Sequence, residues 1–134
     1  VDTQVLISAH PAQADIADLG AALDAELQEL LAQRQALITK QASDGLTAEE
    51  EELLQALTVT IQTRQNTGLE EIRDAAEPAE QAANDIIREI AARDGYDLVL
   101  DIGAAAGLVV FAAEDVPDIT QEAVTLMQER FPAE

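Results

Sequence analysis

Apolar positions along the first two thirds of the chain recur with the period of amphipathic helices. Ile16, Leu19, Leu23, Leu27, Leu30, Leu31, Leu37 and Ile38 fall at spacings of three and four, which predicts a helix over residues 12–42. Ser43-Asp44-Gly45 interrupts it. Thr47-Ala48-Glu49-Glu50 then reads as a capping box: the Thr hydroxyl accepts from a free amide, Glu50 reaches back, and Glu49 to Glu52 sit at the positive end of the helix dipole. The second helix carries Leu54, Leu57, Ile61, Gly68, Ile72, Ala75, Ala79, Ala82, Ile86 and Ile90 up to Asp94-Gly95, where glycine can supply a left-handed cap. At 1.5 Å per residue it runs roughly 72 Å, against roughly 45 Å for the first.

Folding back at Gly45 pairs residues whose numbers add to about 91: Leu37 with Leu54, Leu30 with Ile61, Leu23 with Gly68, Leu19 with Ile72. The economical reading is an antiparallel coiled-coil hairpin over residues 12–77 with its tip near 43–46, between an N-terminal part, 1–11, and a C-terminal part, 78–134. Pro78 removes a backbone donor and clashes with the preceding turn, so a kink or a restart is expected there. Thr58-Val59-Thr60-Ile61-Gln62-Thr63 and Asn66-Thr67-Gly68 are poor helix formers. They read as a soft helical segment, with a short edge strand as the alternative.

Beyond Gly95 the period shortens. Leu98-Val99-Leu100 and Leu108-Val109-Val110-Phe111 read as two strands around the small-residue turn Gly103 to Gly107, and Val5-Leu6-Ile7 has the same local character. Pro117 stops the second strand, and Thr120 is placed to cap a last helix bearing Ala123, Val124, Met127 and Phe131. The fold class is therefore α+β, a long helical-hairpin arm on a small β body. Two or three short strands leave open apolar edges, so oligomerisation is expected through Leu98, Val99, Leu100, Leu108, Val109, Val110 and Phe111.

Charge narrows the partners. Twenty-seven acidic against seven basic residues give a net charge of −20, spread over the whole length. Such a surface repels nucleic acid and anionic lipid, because phosphate binding rests on Lys and Arg. The balance is that of proteins bathed in concentrated salt, where a Debye length of about 3 Å at 1 M mutes self-repulsion; a halophilic source is expected. With no Cys and one His, His10, there is no thiolate chemistry and no imidazole cluster. No apolar run approaches a membrane span, no signal segment is present, and the opening Val1 reads as that of a processed or trimmed product.

No Ser/His/Asp set, phosphate loop or metal motif appears, so no catalytic, cofactor or metal residue is assigned and an enzyme is not expected. Glu49 to Glu52 lack a calcium-loop pattern and are read as helix-end electrostatics. Asp115 and Asp118 are read as turn and cap residues, His10 before Pro11 as a turn or packing residue.

One family shares these features. Ile90-Ala91, Gly95-Tyr96-Asp97-Leu98-Val99-Leu100-Asp101, the Ala/Gly-rich turn, Leu108-Val109-Val110-Phe111 and Asp118-Ile119-Thr120 with Val124 resemble the C-terminal body of the Skp (OmpH-like) periplasmic chaperones; Val1-Asp2-Thr3-Gln4-Val5-Leu6 and His10-Pro11 are similar to that family's start. The resemblance implies a homotrimer with a β body and three helical arms around a cavity, holding unfolded outer-membrane or envelope proteins in the periplasm without ATP. It also implies a strand before Val1 and a short helix over Val5 to Ser8, against the local strand reading. Two departures stand out: the arm is shorter than in well-known members, and it is acidic, its cations being Arg34, Lys40, Arg64 and Arg73. That counts against the charge attraction to a client expected of basic-armed relatives, and against lipopolysaccharide contact.

Within this reading Leu23, Leu30, Leu37, Leu54, Ile61 and Ile72 form the seam, and client contact falls to off-seam apolar residues: Leu27, Leu31, Ile38, Leu53, Val59 and Leu69. Apolar burial needs no specific partner geometry, which suits a holdase for varied clients. The alternative is a structural or adaptor coiled coil with one defined partner.

Overall fold

A computed structural model describes residues 1–106 and 116–132. They form α1 (Thr3–Ser8), α2 (Ala12–Ser43), α3 (Ala48–Asp94), α4 (Ile102–Ala105) and α5 (Thr120–Arg130). The chain divides into two compact units, one of Val1–Asp15 with Ala75–Glu134, the other of Ile16–Asp74.

The Ile16–Asp74 unit is the expected helical hairpin. Half-buried or buried positions of this unit fall on α2 at 16, 20, 23, 27, 30, 34 and 37, and on α3 at 50, 54, 57, 61, 64, 65, 68 and 72. From 16 to 37 and, with Gln65 beside the row, from 50 to 68, the steps alternate between four and three, the a/d row of a coiled coil. Leu23, Leu57 and Ile61 are its most enclosed members. The register is the expected one: a Cβ built on Gly68 would lie 2.5 Å from both Leu23 methyls. Arg64 reaches Glu26 at 2.6 Å and Lys40 pairs with Glu50, both at the same offset.

At the tip Gly45 takes φ +80°, a left-handed turn that a side chain would strain. The capping box closes as read: Thr47 Oγ1 accepts the Glu50 amide at 3.2 Å and Glu50 Oε2 accepts the Thr47 amide at 3.0 Å. The soft segment is helical throughout, not an edge strand. Its hydroxyls fold back onto the helix, Thr58 donating to the Leu54 carbonyl and Thr67 to that of Thr63.

In the other unit, Leu6, Ala82, Ala83, Ile86, Ile90, Ile119, Ala123 and Met127 form a core with Val1. Contrary to the expected restart, α3 runs through Pro78 as one helix. The proline is exposed, and the row Ala79, Ala82, Ala83, Ile86 and Ile90 that follows it is buried, so packing outweighs the one missing backbone bond. Gly95, at φ +75°, ends the helix as read, with the Tyr96 amide donating to the Ala91 carbonyl at 2.9 Å.

Other local readings are corrected. Val5-Leu6-Ile7 lies in helix α1, as the family resemblance implied, because the Asp2 carboxylate caps its first turn and Leu6 is fully buried in the core. Thr120 is not the cap of α5: its hydroxyl donates to Asp118 Oδ1 and accepts the Asp2 amide at 2.7 Å, and the Thr120 amide donates to that same Asp118 oxygen. Leu98-Val99-Leu100 is irregular, and no strand occurs among the described residues. The second expected strand, Leu108 to Phe111, lies outside them, as does Asp115. Among the described residues the sheet pairing comes to one rung: Val1 N donates to the Leu100 carbonyl at 3.0 Å and the Ile102 amide to the Val1 carbonyl at 2.8 Å. One residue bonded to both flanks of another is the pattern of a parallel ladder.

Candidate functional site

Two surfaces carry unpartnered apolar side chains, one in each unit. In the first unit, the chain leaving α3 and the stretch entering α5 enclose a groove of about 510 Å³ whose walls include Tyr96, Leu98, Leu100, Ile102, Val116 and Ile119. Its rim is unusually bare: Leu98 is 73% exposed and Val116 60%, with Leu100 and Ile102 each about half exposed. Val99, between two exposed leucines, turns inward against the core. Of the seven residues expected at an oligomer interface, Leu98 and Leu100 thus line an open apolar surface and Val99 supports it from beneath. Leu108, Val109, Val110 and Phe111 lie outside the described residues.

Short polar links hold the segments next to the groove's lining residues. Asp101 caps α4 through the Gly103 amide at 3.0 Å and accepts from the Thr3 hydroxyl. The Thr3 hydroxyl first, then the Gly103 amide, hold the Asp101 carboxyl below the usual carboxylate range. The Thr120 hydroxyl and amide do the same for Asp118. A carboxyl lowered on folding contributes stability above its ordinary value and loses it as pH falls through the lowered one. Arg93 pairs with Asp94 and Glu122, and Arg130 reaches Glu89 at 2.6 Å, tying α5 to α3.

His10 is a structural residue. Its ring is buried, Nδ1 accepts the Ala12 amide at 3.1 Å, its carbonyl accepts the Gln13 amide, and it stacks at a tilt on Phe131 with centroids 4.9 Å apart. Its ring nitrogen thus takes up the free amide of Ala12, the first residue of α2. Among the described residues no group of His, Asp and Glu is arranged to hold a metal ion.

In the hairpin unit the six client candidates separate. Leu27 sits in the half-buried a/d row facing α3, not off the seam. Leu31, Ile38, Leu53, Val59 and Leu69 are exposed, between 38% and 66%. Leu31 and Ile38, seven residues apart, share a stripe of α2, and Val59 and Leu69 lie on outer positions of α3, so the five are dispersed instead of gathered in one patch. Missed in the sequence was Arg34, which occupies an a/d position where its Nε is sealed from solvent without a partner. The unbroken alternation of three and four through Gly20 and Arg34 was the signal that would have placed both Leu27 and Arg34 in the seam.

Among the described residues no helix is long and apolar enough to cross a membrane. No curated protein and no solved structure matched the chain. The family described as Outer membrane protein (OmpH-like) matches residues 1–127, nearly the whole length and both units described above, and the chain belongs to that family.

Proposed function

We propose that the chain is the subunit of an ATP-independent holdase of the periplasm, three copies of which join through the groove of the first unit and hold unfolded outer-membrane proteins with their hairpins. The observation that carries this reading is the groove: an OmpH-like chain presents Leu98, Leu100, Ile102 and Val116 to solvent around an apolar hollow. A contiguous apolar surface of this kind marks an interaction site. Leu100 and Ile102 flank Asp101, the residue that forms a parallel rung with Val1 among the described residues, so both β pairing and apolar burial are available to a second copy.

The hairpins supply the second half of the function. Their exposed Leu31, Ile38, Leu53, Val59 and Leu69 are dispersed, which gives weak, non-directional contacts along a bound chain, and neither nucleotide nor metal is required for such contacts. Leu98→Asp tests the assembly, because a side chain 73% exposed in the subunit can be changed without disturbing the core beneath it. The parent is expected to have the mass of three chains in solution and to keep an unfolded β-barrel protein soluble at stoichiometric ratio. The variant is expected to fall to one chain, since a carboxylate buried in an apolar interface lacks a partner. A parent that stays monomeric, or that fails to suppress aggregation in both low and molar salt, defeats the reading.

A further inference from the structure

We propose that the hairpin unit selects its guests by charge, taking unfolded segments that combine apolar side chains with net positive charge and turning away acidic segments of equal apolarity. This rests on the holdase reading and adds the class of guest to it.

The inference comes from how the hairpin disposes of its own charges. Its cations are Arg34, Lys40, Arg64 and Arg73. Lys40 is engaged by Glu50, and Arg64 by Glu26 at 2.6 Å and Glu71 at 3.1 Å. Arg34 is half-buried in the seam. Among the described residues, Arg73 is the one exposed cation of this unit outside any ion pair. Asp18, Asp24, Glu29, Glu49, Glu51, Glu52 and Glu70 are exposed and belong to no ion pair among the described residues.

These carboxylates share faces with the apolar contacts. Asp24 stands seven residues before Leu31 and fourteen before Ile38, hence on the same stripe of α2; Glu52 stands seven before Val59 on α3; and Glu49 lies one turn from Leu53. Two turns of helix separate such groups by about 10.5 Å. That equals a Debye length at about 0.1 M salt and is more than three at about 1 M. A guest seated on Leu31 or Val59 thus lies within reach of an unneutralised carboxylate at moderate ionic strength and beyond it in molar salt. Apolar burial favours every guest alike, so the sign of the guest's charge decides between them.

The test uses the full chain and two labelled disordered peptides with identical leucine and valine content, one lysine-rich and one glutamate-rich. Binding is read by fluorescence anisotropy at about 0.1 M NaCl, or the lowest concentration that preserves the helical circular-dichroism signal, and at about 1 M. The lysine-rich peptide is expected to bind about tenfold more tightly at the lower salt, with the two values converging at the higher. Combining Asp24→Asn, Glu49→Gln, Glu52→Gln and Glu70→Gln, none of them in an ion pair among the described residues, is expected to remove most of the difference. Equal affinities at the lower salt, or a difference unchanged in the quadruple variant, overturn the charge selection. Binding of neither peptide at either salt overturns the holdase reading itself.

Discussion

Gly68 is the residue on which the hairpin's closest approach depends. Its missing side chain is the space occupied by Leu23, whose two methyls and Cγ would lie 2.5, 2.5 and 3.0 Å from an added Cβ. Two effects oppose each other in Gly68→Ala. Alanine is favoured in a helix by about 1 kcal/mol, whereas overpacking a filled core costs about 1–3 kcal/mol. Overpacking wins here, because Leu23 is only 6% exposed and its whole branch, not one flexible tip, stands in the way. Gly68→Ala is therefore expected to lower unfolding free energy by about 1 kcal/mol in urea titration. In the Leu23→Ala background the same change should become neutral or stabilising, since the clash is gone and only the propensity remains. Additive losses in that double-mutant cycle would show that the two residues do not meet.

Between elements, the two helical surroundings of α3 differ in how much they enclose. Residues 58–68 bury only Ile61 and Gly68 and half-bury Arg64 and Gln65, with Thr58, Thr60, Thr63 and Thr67 exposed, while Ile86 and Ile90 are fully buried among α1 and α5 residues of the core. Amide hydrogen exchange is expected to be faster across Thr58 to Gly68 than across Ile86 to Ala91, because local opening exposes less apolar surface there. Equal protection would mean that the hydroxyl back-bonds and the seam compensate for the poor helix formers. This contrast also marks what the sequence made legible. Periodicity and spacing located α2, α3, the tip, the capping box and the pairing of Leu23 with Gly68, since each depends on neighbours within a turn or on a register that Gly45 fixes. Positions decided by distant packing were not legible. The apolar triplet Val5-Leu6-Ile7 looks like strand until Asp2 caps it and the core takes Leu6; Thr120 looks like a cap until the Asp2 amide claims its hydroxyl. Leu27 was misplaced because an arginine at 34 obscured a heptad row that the burial pattern makes continuous.

At the scale of the whole molecule, the balance of charge sets the conditions under which everything else operates. Seven cations face twenty-seven carboxylates, and Lys40, Arg64, Arg88, Arg93 and Arg130 are already held in ion pairs. Little internal neutralisation is left to offset a net charge of −20, and joining copies brings like-charged subunits together. The attractive terms, apolar burial in the core and across the groove, are insensitive to screening, whereas the repulsive term falls as the Debye length shrinks from about 10 Å at 0.1 M to about 3 Å at 1 M. Melting temperature is thus expected to rise between these salts, on the order of 5 °C for each kcal/mol of repulsion removed, and the assembled fraction at fixed protein concentration should rise with it. Screening must be separated from the general strengthening of apolar burial by salting-out anions. The combined Asp24→Asn, Glu49→Gln, Glu52→Gln and Glu70→Gln variant does so: with fewer carboxylates it should melt higher than the parent at low salt and gain less from NaCl, the two curves approaching one another at high salt. Parallel curves would assign the gain to salting-out, and a flat parent curve would show that the surface charge is already balanced within the fold.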